Sequence, residues 1–363
     1  MLCELRLQTL RRRAQNAALG GDDPRLEPLA DTGLAHDHVR IVGTPYLLRV
    51  PKQSQLALSP EANLHYQAAC FRRAAPSGHT PKLWGIFEPG EDLPLGALVV
   101  EAIDGGVAQL PAHLAAMAQA LAALHDLPLP LAHGRPPLKH GGDPLGAMLD
   151  EIRAQAAFLP AADVHPDTRA AIDDEIQTVA ARGVDGSPLP ITLISFDAHP
   201  GNFIVDPQGR AMLVDLEKGR YSAPGFDLAH ATLYTSTTWD VATHAVLSVD
   251  EVAAFYRTWL MAVSGDLAAA ARPGLLTTRR AMWLWSVTWC AKWQVESRRS
   301  RARREDPGAS AEDWSADLSE TSLVAHVADR VAHYLDPATV ARVRREWCEN
   351  SPLVAALENG QSR

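Results

Sequence analysis

The first hundred residues contain short apolar runs of the kind that form β-strands. Three of these runs predict strands, at Val39–Val42, Tyr46–Val50 and Ala97–Val100. Between the last two runs, apolar residues recur at helical spacing from about Glu61 to Ala74. We therefore expect a small sheet with one helix in this part of the chain.

The pattern changes at the Gly-Gly pair 105–106, which interrupts it. Beyond this pair the apolar spacing is mainly helical, and Leu114–Leu124 predicts a core-facing helix that ends before Pro128. A further amphipathic helix is predicted between Leu323 and Leu335. The spacing thus predicts a mixed lobe followed by a mainly helical lobe, with the boundary near residues 101–106.

A polar loop, Ser195–Asn202, lies among three further apolar runs. These runs predict strands at Ile191–Ile194, Phe203–Val205 and Ala211–Val214. Asp206–Gly209 has the composition of a tight turn between the second and third runs, and Asp215 directly follows the third. A β-hairpin would therefore bring Asp215 beside the loop and its Asp197.

The carboxylates and the amide of this segment are the groups that phosphoryl transfer requires. Such transfer needs a carboxylate that orients and deprotonates the attacking hydroxyl, and oxygen ligands that hold Mg²⁺ on the phosphates. The protein-kinase pattern D-x-x-x-x-N joins a catalytic aspartate to a metal-binding asparagine, and Asp197 and Asn202 have this spacing. Each residue alone is an ordinary turn residue, but the combination favours phosphoryl transfer. Glu217 either assists the metal or simply lies beside Asp215.

Several motifs resemble those of the aminoglycoside phosphotransferase and choline kinase family. The loop Ser195–Asn202 is similar to the family's H-G-D-x-H-P-x-N, and Asp215–Glu217 is similar to its D-x-E. Leu121–Pro128 resembles the family's L-A-x-L-H-x-L-P helix end. Pro224–Ala229 resembles an element whose aspartate, here Asp227, is implied to hydrogen-bond the loop backbone.

This resemblance, which covers about residues 25 to 300, implies an α+β fold with two lobes, like that of protein kinases. Residues 1–100 would form a small nucleotide-binding lobe with an antiparallel sheet and one helix. Residues 101–106 would form the hinge, and residues 107–363 a larger, mainly helical lobe for catalysis and substrate binding. ATP would lie in the cleft between the lobes together with Mg²⁺.

The resemblance also implies roles for individual residues. Asp197 would be the catalytic base, and Asn202 and Asp215 would bind Mg²⁺, in agreement with the roles inferred from their spacing. Backbone groups of Glu101 and Ile103, at the hinge, would hydrogen-bond the adenine.

Some positions depart from the family's pattern. Ser195–Phe196 replace the usual His-Gly, and Arg49 stands where many kinases have the phosphate-binding lysine. Arginine can still clamp phosphate oxygens, whereas Lys52 follows a proline and is expected to point to solvent. Gln67 replaces a glutamate that pairs with the cation, so a hydrogen bond would replace that ion pair. Gly33 occupies the nucleotide-loop position, where it either contacts phosphate or forms a plain turn.

Two groups of aromatic side chains could be taken for ligand sites. Trp285, Trp289 and Trp293 recur at one-turn spacing and form one stripe, which predicts core packing rather than an aromatic cage for a quaternary ammonium group. His36 and His38 lack further ligands at zinc-like spacing. We therefore expect these two histidines to be solvated or to cap an element.

The composition is that of an ordinary globular protein, with 47% hydrophobic and 21% charged residues among 363. The net charge of -9 argues against broad nucleic-acid binding and would tolerate cationic substrates. Cys3, Cys70, Cys290 and Cys348 have no C-x-x-C spacing, so neither a disulfide framework nor a zinc site is predicted. With no apolar signal core or membrane-spanning run, we expect a cytoplasmic protein.

We therefore expect an ATP-dependent kinase that acts on a hydroxyl of an aminoglycoside, a choline-like amino alcohol or a similar small molecule. The departures at Arg49, Gln67 and Ser195–Phe196 motivate an alternative, a nucleotide-binding pseudokinase that serves as a regulatory or interaction module. A recognisable A-P-E segment does not follow Asp215, which argues against protein substrates. The sequence does not choose the acceptor or the oligomeric state.

Overall fold

A computed structural model of the chain describes residues 4–29, 35–52, 54, 56–185, 188–299, 321–348 and 351–358. Gly33, the candidate for a phosphate contact, lies outside the described residues, as does Cys3. A lobe with an antiparallel sheet precedes a mainly helical lobe, which confirms the predicted α+β class.

The N-terminal lobe is built on one sheet and two helices. Its strands are β1 (Leu26–Pro28), β2 (His36–Ile41), β3 (Tyr46–Pro51), β4 (Leu83–Phe87) and β5 (Ala97–Glu101), and its helices are α1 (Glu4–Asn16) and α2 (Pro60–Ala74). The sheet is antiparallel and five-stranded, in the order β1-β2-β3-β5-β4. The predicted strands and helix are confirmed as β2, β3, β5 and α2, whereas the apolar pattern does not predict α1, β1 and β4.

Strand β5 shows how the sheet is covered on both faces. Successive side chains of a strand point to opposite faces, and here Ala97 and Val99 join a core that contains Leu10 of α1. Leu98 and Val100 join the main core, which also contains the buried side of α2. Because both faces are covered, the strand is an unbroken apolar run. It leads directly into the segment between the lobes.

The helix α2 brings polar and aromatic side chains toward β3. It begins at Ser59, whose hydroxyl accepts the N–H of Ala62 at 3.4 Å, and a proline occupies its first turn. Gln67 and Phe71 lie on its buried side, and the guanidinium of Arg49 in β3 is 6.0 Å from the Phe71 ring centroid. This packing carries Arg49 to the inner side of the lobe.

The second lobe is assembled around one long helix. Its helices are α3 (Leu114–His125), α4 (Pro144–Ala156), α5 (Pro166–Asp185), α6 (Pro224–Thr232), α7 (Tyr234–Thr237), α8 (Val249–Ala262), α9 (Gly265–Ala271), α10 (Leu275–Arg299), α11 (Thr321–Tyr334), α12 (Pro337–Arg344) and α13 (Pro352–Glu358). α10 packs against α4, α5, α6 and α11. The two predicted amphipathic helices are confirmed as α3 and α11.

Short strands in the second lobe carry the polar loop. They are β6 (Gly106–Val107), β7 (Thr192–Ile194), β8 (Phe203–Val205), β9 (Ala211–Leu213) and β10 (Arg220–Ser222). β8 and β9 form the predicted hairpin, whose turn is closed by the Gly209 N–H donating to the Asp206 carbonyl at 2.9 Å. β6 pairs with β8, and β7 pairs with β10. The hairpin is thereby joined to the segment that leaves β5.

The described helices include none that is both long and apolar enough to cross a bilayer. Cys70, Cys290 and Cys348 are free thiols, and the first two are buried. Burial raises the pKa of both buried thiols, so they remain protonated and pack as small apolar side chains.

Gly96 allows the turn before β5 to pass close to α2. Its φ is +67°, and a Cβ there would lie 2.5 Å from the Phe87 carbonyl oxygen and 2.6 Å from Leu64 Cδ2. We expect Gly96→Ala to lower the free energy of unfolding by about 2–4 kcal/mol, because backbone strain and steric overlap add. Urea denaturation followed by circular dichroism measures this change.

Gly78→Ala is the matched control for this prediction. Gly78 has a similar φ of +70°, but no atom lies within 4 Å of the added Cβ. Only the backbone strain remains, about 1 kcal/mol. Equal losses of stability for the two variants would contradict the packing argument at Gly96.

Candidate active site

A buried carboxylate of α6 holds the loop between β7 and β8. Asp227 accepts the N–H of Ser195 at Oδ2 and the N–H of Phe196 at Oδ1, both at 2.8 Å. Trp259 of α8 donates its indole N–H to Nδ1 of His125 at 3.0 Å, so His125 carries its own hydrogen on Nε2. That Nε2–H donates to Asp227 Oδ2 at 3.2 Å. The implied role of Asp227 as partner of the loop backbone is confirmed.

Phe196 stands where the related motif has glycine, and it adopts the left-handed backbone that glycine tolerates. Its φ is +60°, which costs about 1–2 kcal/mol for a residue with a β-carbon. The guanidinium of Arg220 is 3.5 Å from the centroid of its ring, and Trp285 meets the ring edge-on at 5.3 Å. These contacts offset the strain and place the next residue, Asp197, at a cleft between the lobes.

Asp197 lies between two basic side chains. Nζ of Lys218 is 3.0 Å from its Oδ2, and Nδ1 of His230 is 3.8 Å from its Oδ1. Asn202 donates its amide hydrogen to the backbone carbonyl of Asp197 at 2.8 Å. Burial by itself would raise the pKa of Asp197, but the charge of Lys218 is the main cause that lowers that pKa below its ordinary value. Asp197 is therefore ionised at neutral pH, as a proton acceptor must be.

Asp215 follows β9 and shares its surroundings with a second carboxyl group. Its Oδ1 accepts the N–H of Glu217 at 3.2 Å and the Nη2–H of Arg49 at 2.5 Å. Burial by itself would raise the pKa of Asp215, but Arg49 and the other positive neighbours lower that pKa well below its usual range. Burial, together with the charge of Asp215, raises the pKa of Glu217 to about 8. The pKa values of the two neighbouring carboxyl groups are thus shifted in opposite directions.

The donor atoms at this point suit a hard divalent cation. Carboxylate oxygens of Asp215 and Glu217 lie within 4.8 Å of one another and of a nitrogen of His36. Both nitrogens of His36 already take part in hydrogen bonds, which leaves the oxygen donors that Mg²⁺ prefers. Asn202 lines the same cleft. A cation between the carboxylates would remove the repulsion that raises the pKa of Glu217.

Arg49 is buried in a polar cluster that differs from the expected one. Its Nη2 is 3.1 Å from Nδ1 of His36, and Nε2 of His36 is 3.0 Å from Oε1 of Gln67. Because arginine only donates, His36 accepts at Nδ1 and carries its hydrogen on Nε2. The expected bond between Gln67 and Arg49 is therefore wrong, since His36 lies between them. The expectation of a solvated or capping His36 is also wrong, and burial, followed by the charge of Arg49, lowers its pKa.

The alternative phosphate-binding cation, Lys52, lies in a different place from the one predicted. Its Nζ is 3.8 Å from Oδ1 of Asp37, and its side chain is 4% exposed, so it does not point to solvent. Of the two cations, Arg49 is the one that lines the cleft. His38, expected to be solvated or to cap an element, is half-buried and also lines the cleft.

The cleft between the lobes has a volume of 780 Å³ and is lined by six of the predicted site residues. Gln67 does not line it, and Gly33 lies outside the described residues. Its walls include Asp197, Asn202 and Asp215, together with residues 101–103, which directly follow the last predicted strand of the N-terminal lobe. The backbone of this segment is fixed by the N–H of Ala102, which donates to the Pro45 carbonyl at 2.8 Å. Apolar side chains from both lobes face the same space: Leu47, Val100, Ile204 and Val214. An apolar slot of this kind suits a flat heterocycle.

The tryptophan stripe of α10 is divided between the core and the cleft. Trp293 is buried, as the periodicity predicts. Trp285 and Trp289 are half-buried and line the cleft. Both also pack against the main core, so the core prediction holds for them in part. Periodicity shows that side chains share a face but not everything that covers that face.

Lys218 and His230, the two basic neighbours of Asp197, were missed by the reasoning from sequence. Lys218 directly follows the D-x-E motif, and His230 directly follows the D-L-A element. Neither residue type forms a pattern of its own at these positions. Adjacency to a matched motif is the signal that could have identified them.

Comparison of the sequence with protein-family models finds one match to most of the chain. The model described as the phosphotransferase enzyme family matches residues 28–271. A comparison with curated proteins finds no significant match.

Several solved structures share the fold. A choline/ethanolamine kinase family protein from Mesorhizobium loti has 17% identity and a TM-score of 0.58, with 98% of this chain and 100% of that chain covered. Aminoglycoside 2'-phosphotransferase-IIIa, in a GDP complex, has 15% identity and a TM-score of 0.57, with coverage of 91% and 99%. Spectinomycin phosphotransferase, in complex with ADP and spectinomycin, has 12% identity and a TM-score of 0.58, with coverage of 93% and 96%. At these identities the likeness shows the fold alone.

Replacing the Asp227 carboxylate tests its hold on the loop. In Asp227→Asn, one carboxylate oxygen becomes an NH₂ group, which would face a donor on the loop or on His125. We expect the free energy of unfolding to fall by about 2–3 kcal/mol, since buried donors lose their acceptor. Urea denaturation measures the loss. Asp150→Asn is the control, because this side chain is 80% exposed, and it should leave the free energy of unfolding unchanged. Equal stability of the two variants would contradict the proposed role of Asp227 in fixing the loop.

Removing the charge of Arg49 tests the charge balance around Asp215. Arg49→Met leaves a buried carboxylate without its cation, and we expect a loss of about 3 kcal/mol in the free energy of unfolding. Millimolar MgCl₂ should recover part of this loss, because Mg²⁺ supplies the missing charge. The measurement is urea denaturation with MgCl₂ and with EDTA.

Arg12→Met provides the control for this experiment. Arg12 pairs with Asp92 at the surface, where its side chain is 62% exposed, so its removal should have no measurable effect. A loss at Arg49 that is the same with MgCl₂ and with EDTA would argue against a cation beside Asp215.

Proposed function

Because the chain belongs to the phosphotransferase enzyme family, we propose that it transfers the terminal phosphate of Mg·ATP to a hydroxyl group of a small molecule. The observation that carries the proposal is the ionised carboxylate of Asp197, held on a braced loop in the same cleft as the carboxyl pair Asp215 and Glu217. Phosphoryl transfer depends mainly on positioning and on charge stabilisation. The site has both properties.

Asp197 would act as the base in this reaction. Its carboxylate would orient the acceptor hydroxyl and take its proton as the oxygen attacks the phosphorus. Lys218, 3.0 Å from Asp197, keeps the carboxylate ionised before the substrate enters. His230, whose pKa burial lowers to about 4, is neutral at this position and adds no second charge.

Asn202 and Asp215 would hold Mg²⁺, with Glu217 as a further oxygen donor. Carboxylate oxygens of Asp215 and Glu217 lie within 4.8 Å of each other, and both residues line the cleft, which supports the assignment. When bound, the cation would neutralise charge on the phosphates. Arg49 fixes one oxygen of Asp215, so the other remains available as a ligand.

The nucleotide base would occupy the apolar slot at the hinge, residues 101–106. Glu101 and Ile103 line this slot, and their backbone groups would hydrogen-bond the adenine. Arg49 would contact the phosphates from the N-terminal lobe. Gln67 would act indirectly, by orienting His36 and through it Arg49.

An assay for ADP release across a panel of small alcohols tests the function. We expect Asp197→Ala to reduce the rate of turnover about 10³-fold, the range expected on loss of a general base. Mg·ADP binding, measured by calorimetry, should be unchanged. Asp215→Ala should instead abolish both turnover and Mg²⁺-dependent binding of the nucleotide.

Asp150→Ala is the control, because this side chain lies at the surface and should leave turnover at the level of the unmodified protein. Equal turnover in Asp197→Ala would show that the base is assigned wrongly. If every alcohol in the panel fails while Mg·ATP still binds, the regulatory module would be the better reading of this fold.

A further inference from the structure

The cleft continues beyond Asp197 into the helical lobe, where a phosphate acceptor has to bind. We use the term acceptor chamber for the part that is lined by Thr235, Ser236, Trp239, Trp285, Trp289 and Tyr334. These residues come from α7, the turn after it, α10 and α11. The inference below rests on the proposed phosphoryl transfer and concerns the class of alcohol that enters this chamber.

Aromatic rings in mutual contact form one wall of the acceptor chamber. Trp239 stacks on Tyr334, with ring centroids 6.2 Å apart and planes 30° apart, and meets Trp289 edge-on at 5.7 Å. The Tyr334 hydroxyl is 2.9 Å from Thr238 Oγ1, and His326 donates from Nε2 to the Trp239 carbonyl at 2.6 Å. The wall is therefore rigid before any ligand binds. Such a wall binds a flat apolar body at a low entropic cost.

Two buried hydroxyl groups near this wall lack partners. Thr235 is 4% exposed and Ser236 is 2% exposed, and neither hydroxyl has a hydrogen-bond partner among the described residues. A buried hydroxyl without a partner is unfavourable, because it has given up its hydrogen bonds to water. Both residues line the chamber, so a polar group of a ligand is the partner that would satisfy them.

The charges of the chamber do not suit a polycation. Beyond Asp197 and the metal-site carboxylates, Asp240 is the carboxylate that the described residues place in this half of the cleft. It lies beside the exposed Val241 at the rim, and its Oδ1 already accepts the N–H of Ala242 at 2.9 Å. Among the described residues, a molecule with several ammonium groups would find only this rim carboxylate besides those that the transfer and the metal would already use.

We propose that the phosphate acceptor is an uncharged alcohol with a flat apolar body and one further polar group. The body lies against Trp239, Trp289 and Tyr334, and the polar group bonds to Thr235 and Ser236. The hydroxyl then reaches Asp197. In the transfer, a bond forms between the hydroxyl oxygen and the γ-phosphorus, the bond from that phosphorus to the bridging oxygen of ADP breaks, and Asp197 takes the hydroxyl proton.

Calorimetric titration in the presence of Mg·ADP tests the binding class without any phosphate transfer. The probes are indole-3-ethanol, which has a flat body and an N–H, 2-(1-naphthyl)ethanol, which lacks the N–H, choline and kanamycin. We expect indole-3-ethanol to bind at least about tenfold more tightly than choline and kanamycin, a difference of about 1.4 kcal/mol. Tighter binding of either cation would overturn the proposal.

Variants of the chamber locate the site. Trp239→Leu and Trp289→Leu keep apolar volume, and each should weaken the binding of indole-3-ethanol about tenfold, since an aromatic contact is lost. The control Trp84→Leu changes a half-exposed tryptophan of β4 outside the cleft and should leave binding unchanged. Equal affinities for all three variants would place the ligand elsewhere.

The hydroxyl pair is tested by a comparison of the two aromatic probes. The double variant Thr235→Val with Ser236→Ala should weaken the binding of indole-3-ethanol several-fold and leave 2-(1-naphthyl)ethanol unchanged, because only the first probe has a polar group for the hydroxyls. A loss that is equal for both probes would contradict the assigned contact. Binding of indole-3-ethanol without ADP release from Mg·ATP would support the chamber while counting against the proposed transfer, so the two failures are distinguishable.

Discussion

The buried carboxylate of Asp227 is the anchor on which the geometry of the site depends. It accepts two consecutive N–H groups of the loop and a third hydrogen from His125, so both of its oxygens are satisfied without exposure to water. Hydrogen bonds to a carboxylate in this position can hold a backbone conformation that would otherwise relax. The positive φ of Phe196 is such a conformation. This arrangement also sets the direction in which the side chain of Asp197 points, because Asp197 directly follows Phe196 in the chain.

Charge balance around the loop and the hairpin explains why the carboxyl groups of one cleft behave differently. Asp197 and Asp215 each have a cation within 3.0 Å, and the pKa of each lies below its ordinary value. Glu217 is buried beside Asp215, and its pKa is raised. Glu217 is therefore mainly protonated at neutral pH in this structure. A divalent cation bound beside it would favour its ionised form.

The sequence predicts the parts of the site that depend on local order along the chain. The spacing of Asp197 and Asn202, the hairpin turn at Asp206–Gly209 and the position of Asp215 after a strand are all local features, and the structure has each of them. The apolar runs likewise predict the central strands, because a strand buried on both faces must be apolar throughout.

Contacts between distant segments could not be predicted in this way. His36 lies between Arg49 and Gln67 because β2, β3 and α2 converge there, and no pattern in one segment contains that information. Periodicity shows that Trp285 and Trp289 share one face of α10. Whether that face meets another helix or the cleft depends on how α10 and α11 pack. The sequence alone thus determined the fold class and the order of the candidate site residues along the chain, since both follow from local patterns. Only the tertiary structure decided which side chains surround those groups, because burial and charge depend on segments far apart in the chain.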